Sequence, residues 1–138
     1  MKRIMGLDPG EKRIGIALSD PLGITAQPYA VIEKSSGREL IEKLKEIIAK
    51  KDVGKIVVGM PYSLKGEKGE SAEKTMEFIR YLNKNTDIEI ETADERFTTA
   101  FSEKVMLEGN ASRKKRRENI DKIAASVMLQ GYLDRKEK

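Results

Sequence analysis

Neither cysteine nor histidine occurs in this chain of 138 residues, and tryptophan is missing as well. Without cysteine there are no disulfides, no thiolate nucleophile and no cysteine-ligated zinc. Without histidine there is no imidazole base and no imidazole metal ligand, which excludes a Ser-His-Asp hydrolase. Any catalytic metal must then be held by oxygen, and oxygen donors suit Mg²⁺ or Mn²⁺. Aromatic residues reach only 5%, which argues against a single-strand binder that stacks bases on aromatic platforms. No apolar run approaches the roughly 18–20 residues of a membrane span, and the first residues lack the apolar stretch of a secretory signal. A cytoplasmic protein with no membrane partner is expected.

What remains is a well-charged chain, 38% hydrophobic and 36% charged. Its length supports one domain with a real core over residues 1–138. The net charge is +4, and it is unevenly placed. Arg113, Lys114, Lys115, Arg116 and Arg117 are consecutive; taking these five away turns +4 into −1. A phosphate-bearing partner would meet the protein there, unless the run is only a solvated stretch of charge.

In chain order, Ile4–Leu7 reads as a strand and Asp8-Pro9-Gly10 as a turn. A second strand follows over Arg13–Ser19, where Ile14, Ile16 and Leu18 alternate with Gly15, Ala17 and Ser19. Asp8 thus closes the first strand on the face of Gly6 and Ile4, where an ionised carboxylate needs a cation or hydrogen-bond donors. Capping the turn is the simpler reading of that aspartate. Ile24–Ile32 is a third strand, with Pro28 pointing to an edge or a bulge. Ser36 and Glu39 form a capping box before an amphipathic helix over 37–51. Lys55–Gly59 is a short buried strand. Residues 62–70 form a glycine- and charge-rich loop that fails the phosphate-binding pattern, because Leu64 stands where glycine is required. The loop is a flexible connection, or one that brings Lys65 and Lys68 to a phosphodiester backbone. Ser71–Asn85 is a second helix buried along Ala72, Thr75, Met76, Ile79 and Leu82. Ile88–Ala93 is a fifth strand, followed by a helix from Thr98 to Glu108. The basic run shows no hydrophobic period and reads as a mobile loop. The last helix covers about 118–135 and has Ile120, Ile123, Ala124, Val127, Met128 and Tyr132 on one face. Asp121 falls in its first turn, where an acid often only complements the helix dipole. Three strands and then βα units imply a mixed α/β sheet covered by helices.

The stretches GLDPGEKRIGIALSD, GMPYSLKGEKGESAEKTMEFIRYL, ADERFTTAFSEKVML and DKIAASVMLQGYL resemble the four blocks of the YqgF/RuvX family, in the same order and over most of the chain. Met60 replaces the usual leucine of the second block, and Pro9 occupies a variable place; neither touches an acid. The resemblance implies a ribonuclease H-like fold: a five-stranded mixed sheet of order 3-2-1-4-5, with strand 2 antiparallel to the rest. It also implies an active site of Asp8, Glu95 and Asp121; the residues alone do not single these out among the chain's 23 acids, and Asp94 and Asp20 are their main rivals. Such acids repel one another unless Mg²⁺ or Mn²⁺ lies between them.

The function so implied is endonucleolytic hydrolysis of phosphodiesters in structured nucleic acid. The favoured substrate is pre-16S rRNA, matured at its 5′ end. The alternatives are a Holliday junction resolvase acting on branched DNA and a binding module without catalysis. An actin-like ATPase needs two such subdomains, and the chain supplies one. Lys12, Arg13 and Arg96 are expected beside the acids, orienting phosphate. A resolvase works as a two-fold dimer, but only Phe78, Tyr81 and Phe101 are left over for an apolar interface, so a monomer is expected.

Overall fold

Alternation of large and small side chains in the first two strands dictates the layering. In β1 (Arg3–Pro9) and β2 (Arg13–Ser19), Met5, Leu7, Ile14, Ile16 and Leu18 face one way and are buried, while Gly6, Gly15 and Ala17 face the other. The structure, a computed structural model, describes residues 2–10, 12–34, 37–60, 70–94 and 113–136. The remaining elements are β3 (Ala26–Glu33), α1 (Gly37–Lys51), β4 (Val53–Met60), α2 (Glu70–Asn85), β5 (Glu89–Asp94) and α3 (Arg113–Lys136).

The five strands form one sheet of order β3-β2-β1-β4-β5. β2 runs antiparallel to β1 and β3, and β1, β4 and β5 are parallel, as the family resemblance implied. Pro28 sits on the edge strand at a bulge: Ile16 pairs with Ala30 but Ala17 with Pro28. Both halves of the expectation for that proline hold.

The bulky face carries α1 and α2. Leu40, Ile41 and Leu44 of α1 and Ala72, Ile79 and Leu82 of α2 join Met5, Leu7, Ile56 and Val58 in the main core. Phe78 packs against this core, so it is not free for an interface, whereas Tyr81 is exposed. The opposite, small-residue face carries α3, whose Ala125, Met128, Leu129, Tyr132 and Leu133 close over Ala17, Val57 and Ala93.

Three expectations are corrected. The third strand begins at Ala26 rather than Ile24, because the Asp20 carboxylate accepts the backbone N–H groups of Ile24 (2.7 Å) and Thr25 (2.9 Å) and holds them in a turn. Leu22 and Ile24 are exposed there. The basic run is not a loop: Arg113–Arg117 form the first turns of α3. Arginine and lysine are good helix formers, so a helix can begin there without an apolar period. The buried stripe of α3 is also turned from the one expected. Ile120, Ile123 and Val127 are only half-buried, and Leu129 and Leu133 take their place. The sheet sets this rotation, since Gly6 and Gly15 admit the helix along one line only. Ser36, the loop over 62–69 and the helix expected over 98–108 lie outside the described residues.

Candidate active site

A glycine in the middle of a strand brings the site together. Gly15 is the cross-strand partner of Asp8, so the two Cα atoms are roughly 5 Å apart. Against the bare face of that glycine lies the backbone of Asp121. A Cβ built on Gly15 would stand 2.0 Å from the Asp121 carbonyl oxygen and 2.5 Å from its carbon. No other residue type permits that approach. Gly6 does the same one ladder step away, with Leu129 Cβ 3.0 Å from the Cβ position and the Ala125 carbonyl oxygen at 3.5 Å. Asp8 and Asp121, 113 positions apart in sequence, therefore converge on one residue at the C-terminal end of β1. They arrive from a strand and a helix, both rigid supports.

Because α3 begins at Arg113, Asp121 lies more than two turns inside the helix, not in the first turn. The dipole reading of this acid fails, since that effect is confined to the terminal turn. What holds the carboxylate is Arg13: its Nε donates to Asp121 Oδ2 at 2.7 Å, with both side chains a little under a third exposed. Arg13 is fixed in turn by the hairpin, where Gly10 N–H donates to the Arg13 carbonyl at 2.8 Å. Gly10, Lys12, Arg13 and Asp121 line an open cleft of about 190 Å³. Lys12 and Arg13, both expected beside the acids, thus share this cleft with Asp121.

Glu95 and Arg96 lie outside the described residues. β5 ends at Asp94, in register with Met60, and parallel β1, β4 and β5 all finish at the edge that carries Asp8. Asp20, a rival acid, is at the opposite end of the sheet, where it organises the turn before β3. Of the basic run, the backbone of Arg113–Arg117 continues α3 beyond Asp121 at the same edge.

The far half of α3 is clamped by polar interactions that sequence reasoning missed. Gln130 accepts the Ala26 N–H and donates to the Ile24 carbonyl, both at 2.9 Å, as a strand backbone would. Tyr132 donates to Glu91 of β5. The Lys55 ammonium lies 2.9 Å from the Glu91 carboxylate and 5.7 Å from the centre of the Tyr132 ring. Gly6 and Gly15 were also missed as site builders. The available signal was glycine inside an alternating strand, which marks close backbone approach.

Two carboxylate-bearing residues brought to one glycine, in a chain with neither imidazole nor thiolate, would suit a hard divalent cation such as Mg²⁺ or Mn²⁺. The Arg13 guanidinium, seated on one of them, shows that the place attracts positive charge. Among the described residues no group of three acids gathers.

The strand order, the strand directions and an acid at the end of β1 define a ribonuclease H-like domain. Known structures share this fold. RuvC of Thermus thermophilus in complex with a Holliday junction substrate superposes with a TM-score of 0.58 at 13% identity, over 99% of this chain and 96% of that one. The fowlpox virus resolvase in complex with Holliday junction DNA gives 0.58 at 14% identity, over 99% of both chains. Sequence relatives are much nearer. A protein of Halothermothrix orenii named "Putative pre-16S rRNA nuclease" is 48% identical over 136 residues, covering 99% of this chain and 97% of the relative. One of the same name from Clostridium acetobutylicum is 45% identical over 132 residues, covering 96% and 98%. Residues 2–135 match the family described as RuvX, Holliday junction resolvase. The chain belongs to the RuvX family, as its four motif blocks implied. No helix among the described residues is long and apolar enough to cross a membrane.

Proposed function

We propose that this protein is a metal-dependent endonuclease hydrolysing phosphodiester bonds of structured nucleic acid, with Asp8, Glu95 and Asp121 as the metal-holding acids. The observation that carries this reading is the convergence of Asp8 and Asp121 on Gly15 beside a cationic cleft. Mg²⁺ or Mn²⁺ bound there would supply an activated water and charge stabilisation for the leaving oxygen. The chain's own residues do the rest. Lys12 and Arg13 hold the phosphate at the cleft wall, the Arg13 fork suiting two phosphate oxygens at once. Arg96 adjoins Glu95 in sequence and serves the same phosphate. Arg113–Arg117 grip the flanking backbone without reading bases.

The favoured substrate is the precursor of 16S rRNA, cut during 5′-end maturation in the cytoplasm by a monomer. Support comes from the names of the near-full-length relatives and from the scarcity of aromatics, since folded RNA is recognised through phosphates and 2′-hydroxyls. The family description favours one second reading, a resolvase of branched DNA. Incubating the protein with labelled precursor rRNA and four-way junction DNA, in Mn²⁺ or EDTA, separates the two. Discrete, EDTA-sensitive cuts in the RNA are expected. Paired symmetric nicks in the junction by a two-fold dimer, with the RNA intact, would transfer the assignment to the resolvase. Tight binding of either substrate without cleavage in any metal would leave only a binding module.

A further inference from the structure

Resting on that reading of the cleft, we propose that Arg13 is an exchangeable counter-ion. It pairs with Asp121 while no divalent cation is bound, and moves to a substrate phosphate when one is. The pair is direct, with Nε 2.7 Å from Oδ2, yet Arg13 and Asp121 are 29% and 28% exposed in their side chains. Partly solvated pairs of this kind exchange partners at little cost. The Arg13 backbone is anchored by the Gly10 N–H, so a change of partner moves the side chain alone, within a cleft that Lys12 and Gly10 also line. A planar guanidinium matches carboxylate and phosphate equally well. A cation on Asp121 repels the arginine it displaces, so metal uptake and phosphate capture become linked: each promotes the other.

The linkage makes two measurements unequal in a way that a purely structural role for Arg13 would not. The first is Mn²⁺ affinity of the full chain without nucleic acid, read by the electron paramagnetic resonance signal of free Mn²⁺. Metal uptake on Asp121 must first break its pair with Arg13; two unit charges at that separation, screened as in water, are worth on the order of tenfold in affinity, so Arg13→Gln should bind Mn²⁺ that much better than wild type. Arg13→Lys keeps the charge without the fork and should fall between them. The second is the salt slope of precursor-RNA binding, with and without Ca²⁺. Arg13→Gln should lower the slope by roughly 0.7–0.9, the share of one phosphate, only when Ca²⁺ is present. Equal or weaker Mn²⁺ binding by a folded Arg13→Gln protein, or the same fall in slope in both conditions, overturns the exchange and leaves the metal reading standing. If Arg13→Gln does not fold, Mn²⁺ affinity of Arg13→Lys at or below wild type overturns it instead. A wild-type protein that takes up no Mn²⁺ overturns the metal reading, and the exchange with it.

Discussion

Replacing Gly15 by alanine adds one methyl group at the point where strand and helix meet. That Cβ would fall 2.0 Å from the Asp121 carbonyl oxygen, where real Cβ neighbours begin near 3.0 Å. The obstacle is backbone on both sides, so no rotamer change relieves it, and α3 must retreat by about 1 Å or more in a core that is otherwise close-packed. Overpacking on this scale costs about 1–3 kcal/mol of stability. The larger effect falls on the site. Asp121 moves with the helix while Asp8 stays on its strand, and a displacement of about 1 Å in a catalytic constellation costs on the order of 10²-fold in rate. The assay is single-turnover cleavage at saturating Mn²⁺ beside a thermal melt. Gly131→Ala serves as control: its Cβ meets nothing within 4 Å, and removing a helical glycine should stabilise by roughly 0.5–1 kcal/mol without touching cleavage. A folded Gly15→Ala protein that cuts and binds Mn²⁺ like wild type would refute the account of how the acids are brought together.

Other expectations follow the same geometry. Asp8→Asn should melt near the wild-type temperature but lose most Mn²⁺ uptake and cleavage, since an amide does not replace the charge; titration with Mn²⁺ and an activity assay test both. Replacing Arg113–Arg117 by alanine keeps helix propensity, so circular dichroism should hold while the salt slope of RNA binding falls by roughly 0.7–0.9 for each phosphate no longer neutralised; an unchanged slope would make the run a solvated helix end. The Asp20 carboxyl is held below its ordinary 3.8, chiefly by the Thr25 N–H and also by that of Ile24. A depressed carboxyl stabilises the fold above the unfolded pKa and ceases to as pH falls through the folded value. Wild type should therefore lose the contribution of this turn below about pH 3.8, and acid melts of Asp20→Asn should lack that component. Leu82→Ala, at a fully buried position of α2, should cost about 2–5 kcal/mol in a denaturant titration.

Much of the architecture is legible because two periods are plain in the chain. Period-2 alternation marks β1 and β2, and the stripe Ala72–Thr75–Ile79–Leu82 marks α2 almost residue for residue. The family blocks then supply a sheet order that periodicity alone cannot. The failures have a common origin in α3. Its first turns carry no apolar residues, so hydrophobic pattern starts the helix several residues late and puts Asp121 near a dipole it does not feel. Its buried face is misread because two glycines on the sheet, not the helix's own hydrophobic pattern, decide how it rotates. Asp8 and Asp121 stand out only through the family, because convergence on Gly15 is a long-range fact that no local window contains.

The bulge at Pro28 has a consequence for how copies of this protein can meet. Among the described residues β3 is an outer strand of the sheet with none paired beyond it, and such an edge is a template for a strand from another molecule. Proline offers no N–H there, and the extra residue between the pairs Ile16–Ala30 and Ala17–Pro28 breaks the even spacing that an incoming strand would need. Joining two sheets edge to edge through β3 is thereby blocked at its middle. Any two-fold assembly on this side of the molecule would have to dock side chains rather than extend the ladder. The same block should keep the protein from growing into ordered β-aggregates when it is concentrated or gently heated, and Pro28→Val, which restores a donor to the edge, should raise thioflavin-positive aggregation under conditions where wild type stays clear.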